Sequence, residues 1–198
     1  MMQLSREPEE EEGRRPLPPP VVRVALRFAQ GARPPLPTRI TAPLRRMAPE
    51  HWSRHLAELY PVLIGAKIAV DRMDAEETAR WAYLVYFVAV LSGTGRRMAH
   101  SDARARALGT VLHEAGYSEA RLMKLLGAQG TALPMQVMRL ARFLAAKGAV
   151  PIDLRPIADL ILFGDRDASR AEAARLTIAR AYFTADSRST ETPTGDDT

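Results

Sequence analysis

The chain of 198 residues has no cysteine, only three lysines and few aromatic residues, 6% of the total. Without cysteine there is no disulfide, no thiolate zinc site and no cysteine nucleophile, a composition compatible with a reducing cytoplasm. The longest apolar run, residues 81–91, falls short of the roughly 18 uncharged residues that a membrane-spanning helix needs. The opening MMQLSREPEEEEGRR is acidic, whereas a secretory signal is basic and then apolar. A cytoplasmic protein with no membrane association is therefore expected. Period-two alternation is missing too, as is any internal repeat, so sheet is not the organising element. Scarce aromatics argue against a base-stacking cleft.

What is present suffices for a folded core. Hydrophobic residues make up 46% of the sequence, enough for one compact domain with frayed ends. Residues 1–19 combine a glutamate run with RRPLPPP, and residues 186–198 read DSRSTETPTGDDT; neither can bury enough surface to offset its ordering entropy, so both are expected to be disordered. The folded domain is then residues 20–185. The formal charge of +5 understates the charge of that body, because nine acids lie in the two ends. Between Arg14 and Ala185 there remain 14 acids against 26 bases, about +12, a balance that favours a polyanion partner. Arginine-rich codon usage gives the same excess, with isolated arginines merely solvating helix surfaces.

The punctuation is helical throughout, and the expected class is all-α, a compact helical bundle or two small ones. Residues 21–30 form a short amphipathic helix closed by Gly31. Residues 31–43, with Pro34, Pro35 and Pro37, read as a loop, and residues 44–47 as a basic turn. Pro49 opens a helix to Leu59, and Pro61 leaves its continuation open. Asp74 caps a helix over residues 75–91, with Glu76 and Glu77 in its first turn and Ala79, Tyr83, Tyr86, Phe87 and Val90 as its apolar set. Ser101 or Asp102 caps a helix ending near Gly116, and Ser118 caps one closed by Gly127. Pro134 starts a helix to Lys147 with Gly148 beyond its end. Asp153 caps a helix to Phe163, and Asp167 or Ser169 begins the last, to about Phe183.

Enzyme-like fragments fail on their spacing. His51 and His55 stand one helical turn apart, but Trp52 occupies the position where a metalloprotease helix carries its glutamate base; surface histidines flanking a buried Trp52 explain them. SGTGRR, residues 92–97, lacks the Lys-Ser or Lys-Thr pair of a phosphate loop and follows a helix, so it reads as a basic turn between helices. No catalytic residue, metal site or cofactor is called for. The basic positions are more suggestive. Arg121 and Lys124 are three residues apart, as are Arg139 and Arg142, so each pair projects from adjacent turns of one helix face, as a phosphate track requires. Arg45 with Arg46, Arg96 with Arg97, and Arg104 with Arg106 add clusters at helix ends. The competing explanation for Arg139 and Arg142 is pairing with acids of neighbouring helices.

Residues 108–147 carry a resemblance in the order of their elements. A Leu108-Gly109 pair precedes Ser118, Glu119, Arg121, Leu125 and Leu126 in an S-E-x-R-x-x-x-L-L pattern, followed by a helix with Arg139, Arg142, Phe143, Leu144 and Ala145. This order resembles the CasB family, the small subunit of the type I-E Cascade complex of CRISPR immunity. Outside the block, LRRMAPEHW, PIDLRPIADLILFGD and the closing Arg175, Ala179, Arg180, Tyr182 and Phe183 extend the likeness over residues 38–184. Leu154 and Phe163 stand in place of the family's usual aromatics at those positions. The resemblance implies a non-catalytic protein of two small helical bundles, paired head to tail with a second copy among the other Cascade subunits. Its basic surface would hold the displaced strand of target DNA and support the guide RNA heteroduplex. Arg121, Arg139 and Arg142 would hold phosphates, with Arg45, Arg46 and Arg54 as a second group. Two other classes stay open: a helical sequence-specific DNA-binding regulator, using EAGYSEARLMKLL as a turn and recognition helix, and a scaffold that binds only protein. The acidic, proline-rich start departs from the family pattern, and solubility or competition for the basic face is its expected role.

Overall fold

Asp74 accepts a hydrogen bond from the Glu77 amide at 2.7 Å and starts the helix around which the others assemble. In the computed structural model, which describes residues 17–190, this helix is the fourth of the fold and spans Ala75–Ser92. Three shorter ones precede it: α1 (Pro20–Phe28), α2 (Thr38–Arg46) and α3 (Leu56–Gly65). After α4 come α5 (Leu108–Glu114), α6 (Glu119–Leu126), α7 (Ala132–Ala146), α8 (Arg155–Phe163) and α9 (Ala168–Thr190). No strand occurs among the described residues; one isolated parallel bridge joins His100 to Ile152. The expected all-α class is the observed one.

Burial of α4 is wider than an amphipathic stripe. Trp81, Ala82 and every residue from Leu84 to Ala89 are buried, because α1, α2, α7 and α8 all pack on it. A helix apolar all round is a central helix. The helices before α4 lie against one another and against α4, while α5 and α8 pack on α9 and α6 on α7. Buried residues from both groups form one continuous cluster, from Val21 to Tyr182.

Several expected boundaries are corrected. Residues 38–46 are helical, not loop and turn, because Thr41 and Leu44 lie three apart and bury one face, which outweighs the single hydrogen bond that Pro43 forgoes. The helix expected from Pro49 is a 3-10 turn over Pro49–His55, interrupted at His51 (φ −118°, ψ 17°). The α-helix begins only at Leu56 and continues through Pro61 to Gly65, with Leu59, Val62 and Leu63 buried. Ser101 does not cap α5: its Oγ accepts from the Ala103 amide at 3.2 Å, a 3-10 turn Arg104–Arg106 follows, and the helix starts at Leu108. α7 begins at Ala132, ahead of Pro134. Trp52 is half-buried. Finally, α9 runs on to Thr190, so residues 186–190 of the expected disordered tail are helical. The Asp186 carboxylate meets His113 of α5 at 3.1 Å, a tie that the polar sequence conceals. The expectation for residues 1–16 and 191–198 lies outside the described residues.

Candidate nucleic-acid interface

Gly116 adopts φ 75° between α5 and α6 and turns the chain so that Tyr117 enters the core while α6 leaves along the surface. The Tyr117 ring meets Phe143 of α7 edge-on, with centroids 4.9 Å apart. That contact brings the start of α6 against the last turn of α7. Burial raises the Tyr117 pKa, and the positive charges of Arg121 and Arg139 oppose the shift, which places both guanidinium groups in the electrostatic reach of one phenol. Lys124 stands one turn beyond Arg121, and Arg142 one turn beyond Arg139. All four are exposed.

Their partners decide what they are for. No acid pairs with Arg121, Lys124, Arg139 or Arg142 among the described residues, so the competing explanation of intramolecular ion pairs fails for this group. Arg142 instead donates from Nε to the Tyr86 hydroxyl of α4 at 3.1 Å, which fixes its direction without neutralising it. Other arginines behave differently. Arg155 pairs with Asp153 and Asp102, Arg170 with Asp159, Arg166 with Glu77, and Arg175 with Glu172 while also donating to the Leu126 carbonyl. The sequence spacing of basic residues separates these classes poorly; the position of nearby acids in the fold separates them well.

The second expected group splits in two. Arg45, half-buried at the end of α2, donates to the Gly93 carbonyl at 3.1 Å. Arg96, with φ 50°, donates to the Leu36 carbonyl, and its own carbonyl accepts from the Gln30 amide at 2.8 Å. These two tie α2 and the chain after α1 to the turn that follows α4. Arg46, Arg54 and Arg97 are exposed and make no ion pair among the described residues. The two groups are both anchored at α4: Tyr86 within the helix holds Arg142, and Gly93, just past its end, holds Arg45. Arg106 also acts as a tie, donating from Nε to the Pro151 carbonyl at 2.5 Å.

One basic position escapes sequence reasoning. Arg180 lies with Arg104 in a groove between α5 and α9 that Thr110, Thr177 and Thr184 also line. Only the packing of α5 on α9 brings these residues together. His51 is exposed, and His55 faces Glu58 at 3.8 Å. No three potential metal ligands converge among the described residues.

A family model described as CRISPR-associated protein Cse2 matches residues 41–183. The chain belongs to that family. Cse2 is the small-subunit family of type I-E Cascade, the family that the order of elements in residues 108–147 resembles. The protein is therefore a Cascade subunit of a non-catalytic family, and it associates with other Cascade components. No curated protein sequence matches the chain, and neither does any solved structure. No helix among the described residues is long and apolar enough to cross a membrane.

Proposed function

We propose that this Cse2 protein holds nucleic acid by its backbone within Cascade, with Arg121, Lys124, Arg139 and Arg142 contacting phosphates of the displaced DNA strand. The observation that carries the reading is the contrast between these four exposed cations, none paired with an acid among the described residues, and Arg155, Arg166 and Arg170, which are paired. Arg46, Arg54 and Arg97 form a second contact group, with Arg45 and Arg96 setting its shape. Such contacts position a strand without reading its sequence, which the guide RNA does by base pairing. The protein works in the cytoplasm as a head-to-tail pair of copies, beside the guide RNA heteroduplex.

The test is a salt series of R-loop formation by Cascade depleted of its small subunit and reconstituted with this protein. Neutralising Arg139 and Arg142 together weakens the R-loop, and flattens the plot of log affinity against log salt by about 0.7 per lost single-strand contact. An unchanged slope assigns both arginines to structure. Binding confined to one duplex sequence supports a regulator instead. Assembly indifferent to every arginine but lost on changing exposed apolar residues supports a protein-only scaffold.

A further inference from the structure

A second basic concavity lies away from the α6 and α7 face, between α1 and the C-terminal end of α3. It encloses about 390 Å³, and Arg23, Arg27, Arg33 and Lys67 line it with no carboxylate among its lining residues. None of the four makes an ion pair among the described residues. Arg23 is spent on main-chain oxygens: it donates to Ala66 at 2.8 Å, Pro18 at 2.9 Å and Lys67 at 3.3 Å, and so caps the carbonyl end of α3. Arg27 is not satisfied in this way. One branch reaches the Arg33 carbonyl at a long 3.4 Å, while its Nε is buried with no hydrogen-bond partner. A buried donor left alone loses its hydration with nothing in return. Arg33 and Lys67 are exposed, and the carbonyl end of α3 offsets only about half a charge.

The described chain starts at this groove. Leu17 and Pro18 are part of its wall. Immediately before them the sequence carries Glu7, Glu9, Glu10, Glu11 and Glu12, the densest block of negative charge in the chain. Four residues lie between Glu12 and Leu17, a span of at most about 17 Å. A tether this short gives the block a local concentration in the millimolar range.

We propose that the glutamate block of this same chain docks on the groove between α1 and α3 and serves as the counter-charge of Arg27, Arg33 and Lys67. Each exposed carboxylate and cation contributes little alone, so the contact depends on several together and weakens with salt. The basic surface presented by α6 and α7 is left uncovered, and polyanions are steered to it and away from this end of the fold.

Carbodiimide coupling of the purified full-length protein tests this directly, because it joins a carboxylate to an amine in contact with it, and the only lysines in the sequence are Lys67, Lys124 and Lys147. The expected product, located by mass spectrometry, joins the glutamate block to Lys67 within one chain. Its yield falls at least about threefold between roughly 0.05 and 0.5 M salt. Simple tethering would also couple some Lys67, so Arg33→Gln, an exposed change, and Arg27→Gln supply the decisive arm. Each leaves the amine intact and lowers the yield at Lys67 at least about twofold by removing part of the attracting charge. Unchanged yield in Arg33→Gln overturns the proposal, whatever Arg27→Gln does to folding. Coupling mainly to Lys124 or Lys147, or between two copies, overturns it as well. No nucleic acid enters the assay, so this result is independent of the function proposed above.

Discussion

Gly109 of α5 lies so close to the last helix that a methyl group there would press on the Ile178 carbonyl oxygen and stand 2.8 Å from the Ala181 Cβ. Backbone cannot yield as a flexible side chain can. Gly109→Ala is expected to destabilise the protein by about 3 kcal/mol or more, measured by urea unfolding, with the α5 and α9 pair separating first. Nearby, the Tyr182 hydroxyl donates to the Tyr117 carbonyl at 2.6 Å in a buried setting. Tyr182→Phe leaves that oxygen without its partner at an expected cost of about 1–3 kcal/mol, read from the same denaturant curves. Arg121 and Arg139 are identifiable by a third residue: since both oppose the burial that raises the Tyr117 pKa, Arg121→Ala with Arg139→Ala should raise that pKa further in an ultraviolet titration of tyrosine. A titration that does not move would mean that the guanidinium groups point elsewhere.

At the scale of elements, proline marks where local rules yield to packing. Pro61 sits inside α3 on its exposed side while Leu59, Val62 and Leu63 bury the other, so the core holds a helix that its sequence disfavours. Pro61→Ala should therefore stabilise the protein, by up to about 3 kcal/mol, visible as a higher urea midpoint with unchanged slope. An unaltered midpoint would show that the Ala57 carbonyl has another partner. The same competition explains what could be read in advance. Asp74, Gly127, Gly148 and Asp167 mark helix ends by chemistry local to a few residues, and the helices they bound were legible. Residues 38–46 and the continuation from Tyr60 to Gly65 were not, because their helicity depends on packing against other helices, and no local signal reports a distant neighbour. The long reach of α9 was hidden for the same reason, its last polar turns being held in part by His113 on α5. Among candidate site residues, spacing paired Arg121 with Lys124 and Arg139 with Arg142. It did not reveal that Arg45 and Arg96 are committed to main-chain carbonyls, nor that Arg180 joins Arg104.

For the whole molecule, alkali rather than acid exposes the cost of the core's polar rings. Burial raises the pKa values of both Tyr117 and Tyr182, and the charges of Asp186 and Glu119 add to the shift at Tyr182. Below about pH 10 both folded and unfolded chains keep these phenolic protons, so stability is complete. Above it the unfolded chain ionises first, and stability falls as pH climbs through the folded values. Thermal unfolding followed from pH 8 to 11 should show that decline, and Tyr117→Phe should make it shallower; an identical slope would acquit Tyr117.

The pairing of α5 with α9 has a consequence for the protein as it is made. α5 is seven residues long and buries Leu108, Val111 and Leu112, with its closest backbone approach to Ile178 and Tyr182. Some seventy residues must leave the ribosome after α5 before its partner exists. Until then the apolar side of α5 has nothing to cover it, and a transcript cut short before α9 yields a chain exposed to proteases, not a smaller subunit able to join the complex.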